Sequence, residues 1–578
     1  MSLYQMTENW MTSWDETELF YRAWLPEQPA EKAVIIFHRG HEHSGRLFNL
    51  VEALELEDCA VFAWDARGNG KSPGPRDYAD SFSVYVRDAD AFVKHIAQKY
   101  AIAVNHMAVI GNSVGGVIAA TWVHDYAPPI RALVLAAPAF RIKLYVPFAI
   151  PVLRLALKLG CMRYVTSYVK AKVLTHDKAE QASFNHDPQI THSIATNILL
   201  GVYDTATRIV KDAGAIRVPT LLLMAGSDWV VKNGAQKRFF ENLSAPTKKL
   251  KFYKDYYHAI FHENGKEQPI LETQKFIREQ FEHPIELPTL TEAHTAGFTK
   301  NEFEHLKRPS YHPFYWLNRI GLSTVARLSR GVQLGWKDGF DSGVTLDYVY
   351  RNQPAGITPI GKLIDYCYLN NIGWKGIRVR KIHLNQLLSK YIDRLSKEGK
   401  RVHIVDIAGG PGRYILDAIK ASTVENVTAL VRDYKSVNIE QGREIARAMQ
   451  IDSVDYQQGD AFDRESLAQL NPKPTLAVIS GLFELIPDNE PIMNALNGLS
   501  AAMDTGSFLV YTNQPWHPQV EYIARVLTNR EGDPWIMRRR TTEEMDALVA
   551  AAGFEKIEML IDEWGIFSVS VASKAATV

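Results

Sequence analysis

Two glycine-containing turns, one in each half of the chain, constrain its fold more than any other feature. Residues 111–115 read GNSVG and residues 406–412 read DIAGGPG. Each turn follows a short apolar run rich in β-branched residues and precedes a run with helical spacing. A buried strand, a tight turn and a helix in that order form the repeating unit of parallel α/β sheets. The pattern therefore predicts two α/β domains in one chain.

Length and composition support this division and exclude some classes of protein. A chain of 578 residues is too long for a single hydrophobic core. Lys+Arg and Asp+Glu are equal at 65 each, so the basic footprint of a nucleic-acid-binding protein is missing and no nucleic-acid partner is expected. The three cysteines show no metal-ligand spacing and are expected to be free thiols in a reducing compartment. We found neither a signal peptide nor an uncharged apolar run of roughly 18 residues, and we expect a cytoplasmic protein.

The alternation of strand-like and helix-like runs sets the expected domain boundaries. Residues 1–282 are predicted to form the first α/β domain, with a mainly helical cap over about 141–215 where the alternation is interrupted. The polar segment 283–309, which contains three prolines, is predicted to be a linker. Residues 310–578 are predicted to form the second α/β domain, in which the aromatic and basic segment 310–400 is helical and precedes the sheet.

The first turn has the pattern Gly-X-Ser-X-Gly, which lifts a serine above the edge of a sheet. A serine hydroxyl becomes a nucleophile only when a base takes its proton and an acid orients the base. Ser113 is the candidate nucleophile, and Asp228 and His258 follow later strand-like runs in the required order. His262 is an alternative base, one helical turn further on. Asp65 is an alternative acid, but its setting is more typical of a structural turn.

An ester carbonyl under attack also needs two backbone N–H donors for its developing negative charge. Val114, directly after the nucleophile, is one predicted donor. Gly40, in the loop HRGHEHSGR after an apolar run, is the other. The three histidines of this loop leave metal binding open as an alternative, but no further cluster of ligands accompanies them. We therefore predict no metal.

Five segments resemble, in order, motifs of the monoacylglycerol lipase and lysophospholipase branch of the α/β-hydrolases; they are HRGHEHSGR, DARGNGKS, GNSVGG, MAGSDWVV and YYHAIFHE. The resemblance covers about residues 15–280. It implies a capped α/β-hydrolase fold that cleaves an ester of a fatty acyl chain. Arg39 stands where that branch usually has glycine, and Asn112 where it usually has histidine. Both departures touch the oxyanion loop or the serine turn, so acyl preference or rate is expected to differ.

The predicted cap carries an unusual distribution of charge. Between Phe140 and His176 there is no acidic residue, but seven basic ones: Arg141, Lys143, Arg154, Lys158, Arg163, Lys170 and Lys172. Basic residues interleaved with apolar ones suit an anionic membrane surface, which would place the protein peripherally at the inner membrane face. The alternative is an ordinary amphipathic cap that packs on the sheet. An acyl-lipid substrate fits both interpretations.

The second turn predicts a nucleotide cofactor, because glycines such as Gly410 and Gly412 let the backbone approach a ligand closely. A glycine-rich turn alone also fits a dinucleotide. Three acids favour S-adenosylmethionine (SAM). Asp406 precedes the glycines and can face the amino group of the methionine moiety. Asp433 ends the next strand-like run and can accept the ribose hydroxyls, and Asp460, followed by Ala461, can meet the adenine. A nicotinamide or flavin cofactor, or a cofactor fold without ligand, remains an alternative.

These stretches resemble class I methyltransferases over about residues 395–575, including the segment RRRTTEEMDALVAAAGF and the two strand-like runs after it. The resemblance implies a Rossmann-like sheet with SAM as cofactor. Ala408 stands where many members have the first glycine of the turn, and we expect the turn to accommodate an alanine easily.

The methyl acceptor is less constrained by the sequence. Glu484 and His517 follow the fourth and fifth strand-like runs of this half, at the sheet edge where catalytic groups work. Each is equally typical of a structural polar residue. The segment 310–400 is expected to cover the acceptor site. The whole chain resembles bacterial fusions of the two domains, which implies tailoring of lipids or acyl metabolites. Two alternatives remain open. One is an acyl-thioesterase joined to a methyltransferase of small metabolites, and the other is a protein in which one half is a non-catalytic binding module.

Overall fold

The computed structural model describes residues 3–356 and 358–576. The chain forms two compact units, Met1–Leu287 and Pro288–Val578, so the division falls inside the segment predicted as a linker. The later part of that segment folds with the second unit, because the Arg525 guanidinium donates hydrogen bonds to the carbonyl oxygens of His305 (2.9 Å) and Leu306 (2.7 Å). Within the described ranges, no helix is both long enough and apolar enough to cross a membrane.

The first unit contains ten strands and nine α-helices among its described residues. The strands are β1 Gln5–Thr12, β2 Glu18–Leu25, β3 Lys32–Phe37, β4 Cys59–Trp64, β5 Met107–Asn112, β6 Ala132–Ala136, β7 Tyr164–Thr166, β8 Ser193–Ala195, β9 Thr220–Ala225 and β10 Lys248–Tyr253. The helices are α1 Phe48–Leu54, α2 Phe82–Tyr100, α3 Val114–Tyr126, α4 Ala149–Lys158, α5 Ala171–Leu174, α6 Lys178–His186, α7 Thr196–Lys211, α8 Asn233–Asn242 and α9 Glu267–Glu282.

Eight of these strands form one sheet in the order β1-β2-β4-β3-β5-β6-β9-β10. The pairs from β4 to β10 are parallel, whereas β1 and β2 are antiparallel additions at one edge. Strands β4, β5, β6 and β9 are buried along their whole length, as a parallel sheet covered by helices on both faces requires. Helices α4 to α7 and the small antiparallel sheet of β7 and β8 form the cap between β6 and β9. The predicted α/β-hydrolase fold with a cap is confirmed.

The second unit begins with helices and continues with an alternating sheet. Its helices are α10 Phe298–Lys307, α11 Pro313–Ser323, α12 Arg330–Asp338, α13 Gly343–Arg351, α14 Pro359–Leu369, α15 Ile372–Lys397, α16 Arg413–Ala421, α17 Ser436–Met449, α18 Arg464–Ala468, α19 Asn489–Ala502, α20 Val520–Val526 and α21 Thr542–Ala551. Its strands are β11 His403–Ile407, β12 Thr428–Asp433, β13 Val454–Gln458, β14 Leu476–Ile479, β15 Phe508–Asn513, β16 Phe554–Ile561 and β17 Ser568–Lys574.

The strand order is β13-β12-β11-β14-β15-β17-β16. All pairs are parallel except those of β17, which runs antiparallel to both β15 and β16. The order reverses next to β11, so the carboxyl end of β11 lies at the switch point where ligands bind in open α/β sheets. The predicted Rossmann-like class I methyltransferase fold is confirmed.

Three consecutive arginines of the second unit are buried, although a run of charge is usually a solvated face. Arg538 donates to Glu544 (2.7 Å) and to Thr299 at the start of α10 (3.0 Å). Arg539 forms an ion pair with Glu302 of the same helix. Burial lowers the pKa of Arg540 to about 9. Buried charges persist when they are paired, and one ion pair and one hydrogen bond of these arginines attach α10 to the sheet domain.

Candidate active sites

The serine turn has the strained backbone that a raised nucleophile requires. Ser113 lies between the end of β5 and the start of α3 with φ 54° and ψ −110°, outside the regions that non-glycine residues normally occupy. The flanking glycines leave no room for side chains. A Cβ atom on Gly115 would lie 2.2 Å from the carbonyl oxygen of Phe37, and one on Gly111 would lie 2.7 Å from the carbonyl oxygen of Gly115.

This crowding predicts that Gly115→Ala lowers the melting temperature of the protein. The added methyl group would meet backbone atoms rather than a movable side chain, and overpacking of this kind costs about 1–3 kcal/mol. Gly234→Ala on α8 is the matched control, since its Cβ would come no nearer than 3.7 Å to another residue. Differential scanning calorimetry of both variants checks the prediction, and equal melting temperatures would contradict it.

The structure brings the three predicted catalytic side chains of the first unit together. Nε2 of His258 lies 2.7 Å from Oγ of Ser113, and Nδ1 of His258 lies 2.8 Å from Oδ2 of Asp228. The other oxygen of Asp228 accepts hydrogen bonds from the backbone N–H groups of Val230 (2.7 Å) and Val231 (2.9 Å). All three side chains are buried. The arrangement holds an imidazole between a hydroxyl and a fixed carboxylate, which is the geometry that activates a serine.

The two alternative residues are engaged elsewhere. Nε2 of His262 lies 3.3 Å from the carbonyl oxygen of Arg46. The carboxylate of Asp65 accepts hydrogen bonds from the backbone N–H groups of Ser44 (2.6 Å) and Lys71 (2.8 Å), so it stabilises a turn.

The histidines of the oxyanion loop also have separate partners. Both ring nitrogens of His38 lie within hydrogen-bonding distance of backbone groups. His41 lies 3.0 Å from Asp77, and His43 lies 2.9 Å from Asp187. These contacts tie the loop to neighbouring segments and account for the histidines as structural residues.

The two predicted oxyanion donors are neighbours. Gly40 packs against Val114, since a Cβ on Gly40 would lie 3.2 Å from a methyl group of Val114. Both residues line the cavity into which Ser113 faces. Arg39, which departs from the resembled pattern, is buried with Nε 3.0 Å from a carboxylate oxygen of Glu42. The departure therefore adds a buried ion pair to the loop and leaves the triad intact.

A cavity of about 430 Å³ adjoins Ser113. Apart from the triad and the oxyanion loop, its lining is mainly apolar, and much of it comes from the cap: Leu144, Val146, Val152, Leu153, Val165, Ile194, Ile198 and Leu199. A pocket with few polar groups beside a nucleophile suits a substrate with a hydrocarbon chain.

The cofactor turn of the second unit follows β11 and contains three residues in the left-handed region. Ala408, Gly410 and Gly412 have φ angles of 56°, 58° and 70°. The turn therefore holds an alanine at a left-handed position. A residue with a Cβ atom pays on the order of 1 kcal/mol for this conformation, which a glycine avoids.

Asp406 has the environment of a ligand-binding carboxylate. It is buried in β11, and its Oδ1 accepts a hydrogen bond from the Tyr414 hydroxyl at 2.9 Å. Its Oδ2 has no partner among the described residues, and it lies only 2.2 Å from where a Cβ on Gly409 would be. Burial raises the pKa of Asp406 well above its usual range, and the negative charge of Asp433 adds to this effect. A cationic group placed at the turn would relieve this cost.

Asp433 supports the same turn from the next strand. Its Oδ2 accepts a hydrogen bond from the backbone N–H of Gly410 at 2.9 Å, and its Oδ1 accepts from the Asn438 side chain at 2.9 Å. Asp460 lies just beyond the end of β13, is exposed, and accepts from the backbone N–H of Phe462. The neighbouring Ala461 is buried. The three predicted acids therefore lie near the carboxyl ends of three adjacent strands, an arrangement that fits SAM.

The candidate acceptor residues line one cavity of about 280 Å³ beyond β14 and β15. Oε1 of Glu484 lies 3.1 Å from the Arg380 guanidinium. Nδ1 of His517 accepts a hydrogen bond from the backbone N–H of Gln519, and burial lowers the pKa of His517 to about 3, so its ring is neutral. Residues of α11, α14 and α15 form one wall of the cavity, so the segment 310–400 covers this site.

Some site residues were missed by the sequence analysis. Tyr414, the partner of Asp406, comes two residues after the last glycine of the turn, and this fixed offset was the only local signal for it. Gln514 lines the acceptor cavity directly after β15 and was not singled out.

Comparison with known proteins places these sites in a family. The profile of the family described as "Putative methyltransferase" matches residues 273–574, just over half of the chain. The chain belongs to this family. The profile of a second family, described as "Serine aminopeptidase, S33", matches residues 28–265. The chain is therefore a methyltransferase-family protein with an N-terminal hydrolase domain, which confirms the predicted fusion.

The chain is also similar to individual proteins. "Uncharacterized protein YnbC" of Escherichia coli (strain K12) is 46% identical, with 98% of each chain covered. "Monoglyceride lipase" of Rattus norvegicus is 25% identical over 43% of this chain and 82% of the relative. A solved structure, the monoacylglycerol lipase of Paleococcus ferrophilus, has 22% identity and a TM-score of 0.41, and the match covers 48% of this chain and 99% of that one.

Proposed function

We propose that the chain is a bifunctional enzyme, a serine hydrolase of acyl esters joined to a SAM-dependent methyltransferase. The observation that carries the first half is the contact of His258 with both Ser113 (2.7 Å) and Asp228 (2.8 Å) beside an apolar cavity. The substrate class is an ester of a long acyl chain, of the monoacylglycerol or lysophospholipid type. The monoglyceride lipases among the relatives support this class.

The proposed hydrolysis uses each group in turn. Oγ of Ser113 attacks the acyl carbonyl carbon while His258 accepts the hydroxyl proton, and Asp228 keeps the imidazole oriented. Backbone N–H groups of Gly40 and Val114 stabilise the negative oxygen. The alcohol leaves with the proton from His258, and water then releases the fatty acid by the same steps. Rates with monoacylglycerol, lysophosphatidylcholine and an acyl thioester test the class, since the proposal requires faster cleavage of an oxygen ester than of the thioester.

The second half would bind SAM at the turn after β11. Asp406 would hold the amino group of the methionine moiety, Gly410 and Gly412 would allow close approach, and Asp433 would bind the ribose. Asp460 and Ala461 would face the adenine. When bound, SAM supplies a methyl group carried by a positive sulfur. The buried Oδ2 of Asp406, which has no hydrogen-bond partner among the described residues, supports this proposal, as does the methyltransferase family match.

We propose that the cap contacts anionic lipid at the cytoplasmic side of a membrane. Several large apolar side chains on and around α4 are exposed to solvent, and Phe148 is the most exposed of them at 81%. These apolar side chains are Tyr145, Val146, Phe148, Val152, Leu155 and Leu159. Together with the basic residues Arg154, Lys158 and Arg163, we call this set the cap surface. An exposed apolar surface of this extent marks an interaction site, and the basic residues suit anionic head groups.

Reversing Arg154, Lys158 and Arg163 to glutamate should therefore weaken binding to anionic vesicles. Each base near such a surface contributes about 1 kcal/mol, and the gain is screened by salt. Vesicle co-sedimentation at rising salt and rising anionic lipid content measures the effect. Hydrolysis of a soluble short-chain ester should be unchanged, because these residues lie outside the triad. If the triple variant binds anionic vesicles as strongly as wild type, the proposal is wrong and the basic residues belong to an ordinary solvated face of the cap.

A further inference from the structure

We propose that the cavity beyond β14 and β15 binds a largely apolar molecule through a neutral hydroxyl group. We also propose that this hydroxyl is the methyl acceptor, a step that rests on the proposed SAM-dependent function. Its oxygen would form the new bond to the methyl carbon as the bond between that carbon and the sulfur of SAM breaks. The hydroxyl proton would pass to Oε2 of Glu484, and the demethylated cofactor would leave as a neutral thioether.

The walls are aromatic and aliphatic. Trp374 of α15 and Trp535 stack with ring centroids 6.4 Å apart, and other buried apolar residues complete the lining, among them Val332, Phe340, Ile377, Met537 and Phe567. A site with this lining stabilises a ring or hydrocarbon portion of a ligand by excluding water from it.

The polar end has both a free acceptor and free donors. Glu484 is only 8% exposed, and although its Oε1 pairs with Arg380, its Oε2 has no hydrogen-bond partner among the described residues. Nε2 of Gln514, also buried, likewise lacks a partner within that part of the chain. Because Nδ1 of His517 accepts a hydrogen bond, the proton of its neutral ring is on Nε2, which is able to donate to a ligand. Leaving buried polar groups unpaired in a mainly apolar cavity is costly, so they point to a ligand.

A hydroxyl satisfies this set of atoms and a carboxylate does not. A hydroxyl has one hydrogen to donate to Glu484 and lone pairs to accept from Gln514 or His517. An ionised carboxylate has no hydrogen to donate, and its charge would face that of Glu484. Arg380 does not remove this conflict, because it is already paired with Glu484. The acceptor is therefore an alcohol or phenol rather than the free fatty acid that the hydrolase half would release.

The polar end also connects to the cofactor turn. The Arg380 guanidinium lies against Gly481 at the end of β14, where a Cβ would be 3.1 Å from Nη2. Burial lowers the pKa of Arg380, but the nearby Tyr350, Glu484 and Tyr414 more than offset this. Tyr414 in turn donates to Asp406 in the turn. The charge of Arg380 therefore acts both on Glu484 in the cavity and on Tyr414, the partner of the predicted methionine-binding carboxylate.

Calorimetric titration of the full chain with three two-ring probes tests this inference. At pH 7, 2-naphthol should bind about tenfold more tightly than 2-methoxynaphthalene, which lacks the hydrogen for Glu484, because one hydrogen bond to a charged group gives at least this factor. 2-Naphthol should also bind more tightly than 2-naphthoate. Glu484→Gln should remove the preference for 2-naphthol over its methyl ether. The control Glu490→Gln, an exposed glutamate on α19, should keep it.

The outcomes separate this inference from the proposed cofactor. Equal binding of 2-naphthol and its methyl ether, or tighter binding of 2-naphthoate, overturns the inference even if the same protein binds SAM. The expected order of probes without any SAM binding supports the cavity and contradicts the cofactor. The probe series on the unmodified chain decides the question even where Glu484→Gln fails to fold.

A second inference rests on a different observation. We infer that a surface formed by α11, α14 and the 3-10 turn Val325–Leu328 between them docks on an anionic phospholipid bilayer. Its apolar side chains are exposed, with Trp316 at 65%: they are Tyr311, Phe314, Trp316, Leu317, Ile320, Ile360, Leu363 and Tyr366. On α14 they recur at helical spacing on the outer face. We call this set the α11–α14 face.

The charges around this face indicate that its partner is anionic. No aspartate or glutamate occurs between Ser310 and Lys337. Four exposed bases flank the apolar side chains, and none forms an ion pair within the described ranges: Arg319, Arg327, Arg330 and Lys362. One acid lies at the edge of α11, where Glu521 contacts Tyr315. A tryptophan and aliphatic residues flanked mainly by basic charge are typical of helices that lie in the interface of an anionic membrane.

The α11–α14 face also borders the cavity described above. Leu322 of α11, and Ile364 and Cys367 of α14, line that cavity, while neighbouring residues of the same helices belong to the face. A membrane-bound face at this position would let an apolar alcohol enter the cavity from the bilayer without crossing water.

Co-sedimentation of the full chain with phosphatidylcholine vesicles, with and without phosphatidylglycerol, tests this second inference. The double variant Trp316→Ser, Leu363→Ser should bind phosphatidylglycerol vesicles about tenfold more weakly, since large apolar groups that enter the interface are lost. The control Trp10→Ser, Leu271→Ser changes the same residue types on exposed positions of the first unit and should bind as wild type. Combining the double variant with the cap-surface variant should weaken binding further.

Three results overturn it. The first is that the double variant binds vesicles as strongly as wild type. The second is that binding does not depend on phosphatidylglycerol. The third is that a second copy of the chain covers the face. In the last case the wild-type protein sediments as a dimer without lipid and the double variant as a monomer.

Discussion

Ser113→Ala is expected to abolish hydrolysis of p-nitrophenyl esters and labelling by a fluorophosphonate. The expected loss in kcat is about 10⁴–10⁶-fold, because the variant has no nucleophile for His258 to activate. Since Ser113 and His258 act as one unit, His258→Ala should cost a similar factor and the double variant little more. Esterase rates of the three variants and gel-based labelling measure this.

Ser183→Ala is the control for this series, because Ser183 is an exposed serine of the cap. It should keep wild-type rates and labelling. Retention of either activity by Ser113→Ala would place the nucleophile elsewhere. Additive losses in the double variant would mean that His258 does not act through Ser113.

Asp433→Ala should weaken SAM binding by about 2 kcal/mol or more. The variant loses the carboxylate that would bind the ribose, and it also loses the hydrogen bond that holds the Gly410 backbone in the turn. Isothermal titration calorimetry with SAM and with its demethylated product measures the change in Kd.

Asp455→Ala, an exposed aspartate on the adjacent strand β13, is the matched control and should bind SAM as wild type. Equal affinity of the two variants would exclude Asp433 from the cofactor site. If NAD gives heat of binding and SAM gives none, SAM is not the cofactor of this site.

The strands and turns of both units were predictable because their signals are local. A run such as MAVI followed by GNSVG needs only its own residues to specify a buried strand and a sharp turn. The order of Ser113, Asp228 and His258 along the chain, together with the positions of parallel strands, already implied that these side chains meet at one edge of the sheet. The resemblance to two families added the cap and the closing strands.

Other features depended on partners distant in sequence. The run Arg538, Arg539 and Arg540 has the composition of a solvated segment, yet it is buried. Glu544 of the following helix is a local partner, but Thr299 and Glu302 come from more than two hundred residues earlier in the chain. For the same reason α10 belongs to the second unit although its sequence resembles a polar linker. Burial of charge is decided by pairing, and pairing is not visible in a local pattern.

The sequence by itself determined the two α/β folds, the chemical types of the site residues and the order in which they occur, because hydrophobic periodicity and turn chemistry act over short distances. Only the tertiary structure decided which polar atoms remain without partners. Glu484 was equally typical of a structural residue until its buried free oxygen and its pairing with Arg380 were known. Such a group acquires a function from the dielectric and the neighbours that the fold provides, and these arise from contacts between segments more than a hundred residues apart, such as Arg380 and Glu484.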